Sequence, residues 1–244
     1  MGRLARPISR SGIYHILFCG VNNENLFKEK ADFAKLKETI ATLKQEMGFE
    51  IYAYCFMSNH VHLVLKEKNI GDISLIMKRI LSKYARWFNM KYNRSGALAS
   101  KFKSAPVEIN EYFLPLIKYI HHKPLKASIV DKPDKYPYSS YREYVYKAEL
   151  VDTTFLMDKI SLQDFIEHHQ MIENIQFFVS DKTKKSDEDI IFLMKKQYKI
   201  EYPKSISRLP IAERDAILHE LKKDIPVNQL QKITGISKGI ITRA

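Results

Sequence analysis

Residues 50–66, Glu-Ile-Tyr-Ala-Tyr-Cys-Phe-Met-Ser-Asn-His-Val-His-Leu-Val-Leu-Lys, decide the fold. The density of apolar, aromatic and β-branched side chains predicts strands over Glu50–Met57 and His60–Lys66. Ser58-Asn59 leaves room only for a tight connection, so the two strands form a hairpin. Upstream, residues 13–21 are nearly all apolar or aromatic and read as another strand, ended by Asn22 and Asn23. Between it and the hairpin, Phe33, Leu36, Ile40, Leu43 and Met47 recur at helical spacing, and Gly48 stops that helix. Downstream, residues 71–93 carry Ile73, Ile76, Met77, Ile80, Tyr84 and Phe88 at three- and four-residue steps. Residues 102–109 read as a fourth strand. Asn110 caps a further helix that runs to Lys123 and stops at Pro124. Pro115 makes this helix start late, near Tyr112, or kink.

Strand, helix, strand, strand, helix, strand is the split β-α-β order of a ferredoxin-like α+β fold. The expectation is an antiparallel sheet with helices on one face, followed by a small all-α region. Residues 136–146 are dense in Tyr, Ser and Pro and read as a packed, irregular arm. Residues 147–186 read as a connecting arm and linker, polar from 180 to 189. Residues 187–244 read as helical, with segments at 188–198, 211–221 and 227–233 and a last helix beginning at Ile240.

The 244 residues include 40 Lys and Arg against 28 Asp and Glu, a net charge of +12. That sign favours polyanions, nucleic acid before anionic membrane. An apolar content of 45% supports a core and excludes a disordered chain. No apolar run reaches membrane-spanning length, and the two cysteines, Cys19 and Cys55, sit in apolar runs as thiols would in a reducing cytosol. The expectation is a cytoplasmic protein with no membrane partner.

His60 and His62 are two apart on a strand, so both imidazoles leave the same sheet face and can share a divalent ion. A lone His-x-His is more readily a hydrogen-bonded core histidine beside an exposed one; its setting in an apolar hairpin makes it more specific. Tyr119 lies in Leu-Ile-Lys-Tyr-Ile-His-His-Lys-Pro, residues 116–124. Opposite a metal-bound phosphate, its hydroxyl would serve as nucleophile. Tyr112, one heptad earlier, is the rival, and with 14 tyrosines in the chain a structural role is the simpler reading of either.

Several blocks then resemble one family. Residues 57–65 resemble the HUH signature of single-tyrosine transposases, usually Met-Pro-Asn-His-Val-His-Leu, with Ser58 in place of Pro. Residues 119–130 resemble their Tyr-Ile-x-x-Asn-Pro-x-Lys-Ala-x-x-Val block, and residues 136–144 their Tyr-Pro-x-Ser-Ser-Tyr-x-x-Tyr block. Residues 95–104 resemble the strand that precedes the tyrosine helix. Together these span residues 10–146, and the branch they resemble is that of the REP-associated, IS200-like tyrosine transposases. The resemblance implies a transposase-like domain over 1–146 that cuts and rejoins single-stranded DNA, often beside a hairpin, through a 5′-phosphotyrosine. It implies Tyr119 as nucleophile, and His60 and His62 as ligands of Mg²⁺ or Mn²⁺. The family's third ligand is an Asn or Gln four residues after the tyrosine; here that residue is Lys123, which cannot bind a metal. His122 is then the candidate third ligand. Lys123 is either a sign of decay or a phosphate clamp.

Residues 71–105 hold eight basic residues and one acid, Asp72. Lys78, Arg79, Lys83, Arg86, Lys91 and Arg94, with interleaved aromatics, are therefore candidates for DNA contact. At the C-terminal end, Gly235 and Ser237 separate two short apolar helices. The region reads as a helix-turn-helix with Lys238 and Arg243 toward duplex DNA. A DNA-binding protein without catalysis, and a homodimer as against a monomer, stay open at this point.

Overall fold

The computed structural model describes residues 7–108, 113–171 and 187–244. Four strands, β1 (Ile13–Cys19), β2 (Glu50–Met57), β3 (His60–Lys66) and β4 (Lys103–Pro106), form one antiparallel sheet in the order β2-β3-β1-β4. Helix α1 (Lys30–Met47) connects β1 to β2, and α2 (Ile73–Lys91) connects β3 to β4. This is the ferredoxin-like order expected from the sequence. The central strands β1 and β3 are buried at almost every position, which is why they read as continuous apolar runs rather than as alternation.

The register separates the two faces. His60 pairs with Cys19 and Met57, and His62 with Leu17 and Cys55, so these side chains share one face with His15. Tyr54, Phe56, Val61 and Leu63 point to the other. There Phe27 stacks on Phe56 at 6.0 Å, Tyr84 of α2 lies 6.0 Å from Phe27, and Lys37 of α1 sits 5.7 Å from the Tyr54 ring. Helices α1 and α2 thus cover the Phe56 face, as expected. Helix α3 (Phe113–His121) lies on the histidine face, with Phe113 edge-on to Tyr52 at 5.7 Å and Tyr119 6.2 Å from His62. The expectation of helices on one face therefore holds for the two crossover helices and not for α3. The expected cap at Asn110 and the rival Tyr112 lie outside the described residues.

The tyrosine-rich block seals the outer edge of β2. Unpaired edge carbonyls and amides invite another strand, and here each finds an intramolecular partner. Tyr136 donates its hydroxyl to the Phe56 carbonyl (2.7 Å), the Ser140 amide donates to the Tyr54 carbonyl (2.9 Å), and Tyr144 donates to the Tyr52 carbonyl (2.6 Å). The Phe56 amide in turn donates to the Tyr138 carbonyl at 2.9 Å. Removing one of these hydroxyls leaves a buried acceptor unsatisfied. Tyr144→Phe is therefore expected to lower stability by about 1–2 kcal/mol, read as a shift in urea midpoint with unchanged slope.

After α4 (Lys123–Lys126) and α5 (Tyr141–Val145), the chain behaves differently from the connecting arm expected over 147–186. Buried Glu143 accepts hydrogen bonds from the Tyr54 hydroxyl (2.7 Å) and from the amides of Glu149, Leu150 and Val151 (2.7–2.9 Å). Asp152 exchanges backbone and side-chain bonds with Ile51. Phe155 in α6 (Thr154–Met157) stacks on Tyr52 at 4.8 Å, and Phe165 in α7 (Leu162–Gln170) stacks on Tyr144 at 4.8 Å. Residues 147–171 thus belong to the sheet-bearing unit, because single long-range anchors, not a periodic pattern, hold them there. The remainder of the expected linker, 172–186, lies outside the described residues.

A second compact unit contains α8 (Asp187–Tyr198), α9 (Ile211–Asp224), α10 (Val227–Thr234) and α11 (Lys238–Arg243). Ile190, Met194, Leu218, Leu230 and Ile241 form its core. Gly235 adopts φ +74° to end α10, a left-handed position that a Cβ would strain. Among the described residues, no helix is long and apolar enough to cross a membrane.

Candidate active site

Two strands and one helix converge on the histidine face. The turn that launches β3 is pinned from behind: the Gly20 amide donates to the Asn59 carbonyl (2.8 Å), and the Leu26 and Phe27 amides donate to the Ser58 carbonyl (2.8 and 3.2 Å). Ser58 thus serves in the turn as the expected substitute for Pro, its carbonyl doing the anchoring. The histidines that follow inherit a fixed position.

Hydrogen bonds also determine which ring nitrogens carry lone pairs. The Asn59 Nδ2 group donates to Asn23 Oδ1 at 2.7 Å, which turns Asn59 Oδ1 toward His60 Nδ1, also at 2.7 Å. An amide oxygen accepts only, so His60 Nδ1 carries the proton and Nε2 carries the lone pair. His62 Nδ1 lies 2.9 Å from His15 Nε2. With His62 as donor in that bond, its Nε2 is likewise a lone-pair nitrogen. The two rings of the pair stand 5.4 Å apart and nearly perpendicular. This is the pattern of metal-binding imidazoles oriented by an outer hydrogen bond.

His15, which sits in an otherwise apolar strand, belongs to no sequence motif but joins the site. Its ring stacks on His62 at 5.2 Å and lies edge-on to Tyr119 at 6.1 Å. A solitary buried polar side chain in a central strand was the available signal, since such a group must have a partner. His15→Leu is expected to weaken Mn²⁺ binding by about 10- to 100-fold through loss of His62 orientation, measured by calorimetric titration.

Tyr119 is 9% exposed and stands over the histidines, its ring 6.2 Å from His62. Lys123, one helical turn on, donates from Nζ to the Tyr119 hydroxyl at 2.6 Å, and Nζ lies 4.0 Å from that ring's centre. The lysine is itself 9% exposed. An ammonium at a phenolic oxygen stabilises negative charge there and on any phosphate oxygen brought beside it.

His122 is engaged by α7. Its Nε2 donates to the His169 carbonyl at 2.8 Å. Among the described residues, no three His, Cys, Asp or Glu side chains are grouped so as to hold a metal. His122, the third ligand expected beside His60 and His62, has its ring turned toward His169 through that bond. His60 and His62 fit a divalent ion as two ligands, and what stands by Tyr119 where a third would be needed is an ammonium.

The basic residues of α2, and Arg94 just after it, belong to the side of the sheet covered by α1 and α2. Arg79 pairs with Glu46 at 2.7 Å, Lys83 with Glu46 at 4.0 Å, Lys91 with Glu29 and Asp32, and Arg94 with Glu24 at 2.8 Å. Lys78 and Arg86 are exposed. Helix α2 supplies the positive charge that the sequence showed, but residues 24–46 supply acids that a single window could not reveal. Four of the six residues expected to contact DNA, Arg79, Lys83, Lys91 and Arg94, thus also hold ion pairs, and the sheet separates α2 from Tyr119. In the second unit, Lys238 and Arg243 are exposed on α11, which follows α10 after the Gly235 turn.

Comparison with known proteins adds to this geometry. A family model described as "Transposase IS200 like" matches residues 9–123. The structure of a REP-associated tyrosine transposase bound to a REP hairpin superposes with a TM-score of 0.57 at 15% identity, covering 76% of this chain and 100% of that one. A putative transposase from Deinococcus radiodurans R1 aligns over 49% of this chain and 92% of its own, with 20% identity and a TM-score of 0.34. None of the curated proteins matches the chain.

Proposed function

We propose that the chain, whose residues 9–123 match the model of the IS200-like transposase family, cleaves and rejoins single-stranded DNA through Tyr119. The observation that carries this reading is the convergence of His60, His62 and Tyr119 on one sheet face, with a cation on the tyrosine oxygen. The Tyr119 oxygen attacks the scissile phosphorus and the P–O3′ bond breaks. The phenolic proton ends on the departing 3′-oxygen, leaving a 5′-phosphotyrosine and a 3′-hydroxyl. Reversal by that or another 3′-hydroxyl rejoins a strand without an external energy source, because the number of phosphodiester-like bonds is conserved.

His60 and His62 would hold a divalent ion, Mg²⁺ or Mn²⁺, through Nε2; when bound, such an ion polarises a phosphoryl oxygen. Asn59 and His15 keep the two rings in place. Burial of Tyr119 limits competing attack by water. The relative bound to a REP hairpin supports a hairpin-flanked single strand as substrate. The second unit, with Lys238 and Arg243 on α11, is proposed as a duplex-binding helix-turn-helix.

The test is incubation with 3′-labelled single-stranded DNA pools plus Mn²⁺, read on denaturing gels. A labelled band at protein size, mapped by peptide mass to Tyr119, supports the reading. Retained DNA binding with no covalent band in any pool would make the chain a binding module instead.

A further inference from the structure

Lys123 is a buried cation placed on the reacting oxygen, and the catalytic scheme above does not by itself require it. Its Nζ lies 2.6 Å from the Tyr119 hydroxyl and 4.0 Å from that ring's centre. Burying an ammonium is costly unless an electron-rich partner compensates, and the tyrosine supplies both an oxygen and a π face. The lysine is also positioned by the backbone. The His122 amide bonds to the Lys118 carbonyl, α3 ends at His121, and α4 begins at Lys123, with Pro124 next. The break in the helix falls between tyrosine and lysine and leaves them one turn apart.

Two further observations bear on what that cation does. The site offers two imidazole ligands, and among the described residues no third His, Cys, Asp or Glu completes a metal-binding group. An ammonium on Tyr119, whose ring stands 6.2 Å from that of His62, disfavours a dication nearby while attracting the anionic phosphate that a metal would otherwise neutralise. It carries three N–H donors, so it can engage the tyrosine oxygen and a non-bridging phosphate oxygen together. Resting on the reading above, we infer that Lys123 is a catalytic residue that holds the scissile phosphate against Tyr119, so that strand cleavage depends less on a divalent ion. The step remains the balanced one: the Oη–P bond forms, the P–O3′ bond breaks, and the phenolic proton goes to the 3′-oxygen. Lys123 keeps its protons throughout and stabilises charge on the phosphoryl oxygens and on Oη.

The experiment uses the full chain and a 3′-labelled random single-stranded DNA pool, in EDTA and across a Mn²⁺ series. A separate calorimetric Mn²⁺ titration is made without DNA. The expected wild-type result is covalent adduct in EDTA at no less than about a tenth of its rate at saturating Mn²⁺. Lys123→Met loses the EDTA adduct at least about 100-fold, and Lys123→Arg keeps part of it, with melting curves checking that each variant folds. Lys123→Asn shows no adduct in EDTA, regains it with Mn²⁺, and binds Mn²⁺ at least about tenfold more tightly. The loss in Lys123→Met is that of removing one charged transition-state contact. The inference is overturned if wild type is silent in EDTA while Lys123→Asn exceeds it at every Mn²⁺ concentration, since the lysine then only obstructs. Equal Mn²⁺ affinity in wild type and Lys123→Asn also overturns it. A different pattern marks failure of the underlying reading: adduct that survives Tyr119→Phe in every variant. Absence of adduct from all variants removes the reading and the catalytic role of Lys123 together.

Discussion

Phenylalanine at position 119 is expected to abolish the covalent protein–DNA product while leaving single-strand affinity within about twofold. Removal of a covalent nucleophile costs on the order of 10³-fold or more, because no neighbouring group inherits its position. Here the candidates to inherit it are few. The hydroxyls of Tyr54, Tyr84, Tyr136 and Tyr144 are committed to Glu143 and to the carbonyls of Leu26, Phe56 and Tyr52, respectively. Burial pushes the phenols of Tyr54, Tyr84 and Tyr144 further up from their ordinary range, which makes them worse nucleophiles still. Tyr119 alone among these five receives a hydrogen bond from an ammonium. The substitution removes one oxygen and its bond to Lys123, so the ring's packing on His62 and His15 persists. Denaturing gels report the adduct and filter binding reports affinity, with Tyr112→Phe as the control expected to change neither. Adduct persisting in Tyr119→Phe would reassign the nucleophile.

How far the sequence could be read depended on where each signal was stored. Strands β2 and β3 were visible to the residue, because a buried hairpin writes itself as two apolar runs around a short polar turn. Strand β4 came out shorter than residues 102–109, ending at Pro106. A proline without an amide suits an edge strand and limits its ladder. The pairing of His60 with His62 followed from strand alternation alone. His15 did not, since its relation to them arises only when β1 and β3 pair. The ion pairs of α2 were equally hidden, because Glu29, Asp32 and Glu46 are brought to it by folding. The segment 147–171 lacked any period, yet Ser161 and Asp164 did announce α7: the Asp164 amide donates to Ser161 Oγ at 3.1 Å, a helix N-cap readable from Ser-x-x-Asp.

Mild acid is expected to destabilise the sheet-bearing unit well above the pH at which carboxylates titrate. The cause is a buried histidine relay behind Tyr119. His169 Nδ1 must donate to the Phe165 carbonyl (2.8 Å), so its Nε2 accepts from His121 Nδ1 (2.9 Å). His121 Nε2 therefore accepts from the Ser140 hydroxyl (2.8 Å). Each ring is neutral and each nitrogen is used, so a further proton has no acceptor. Burial, then the neighbouring His122, His168 and Lys118, outweigh the Phe165 hydrogen bond and hold His169 down at about 3. Burial, followed by His169 and His122, holds His121 well below its ordinary range. The unfolded chain takes up these protons near pH 6.5 while the folded chain does not, so stability falls as pH drops through that value and continues to fall toward the folded pKa. At pH 5 the cost from His169 is about 2 kcal/mol, from 1.36 kcal/mol per pKa unit over the interval below 6.5, and His121 adds to it in the same direction. Glu143 and Asp32, whose folded pKa values are lowered, contribute their own losses only below the ordinary carboxylate range. A melting temperature that drops by several degrees between pH 7 and pH 5, and a His121→Asn/His169→Gln variant in which that drop is largely gone, are the expected observations. A flat profile over that interval, or imidazole resonances of either residue titrating near 6.5 in the folded protein, would show that the relay accepts protons and that α7 is held by other contacts.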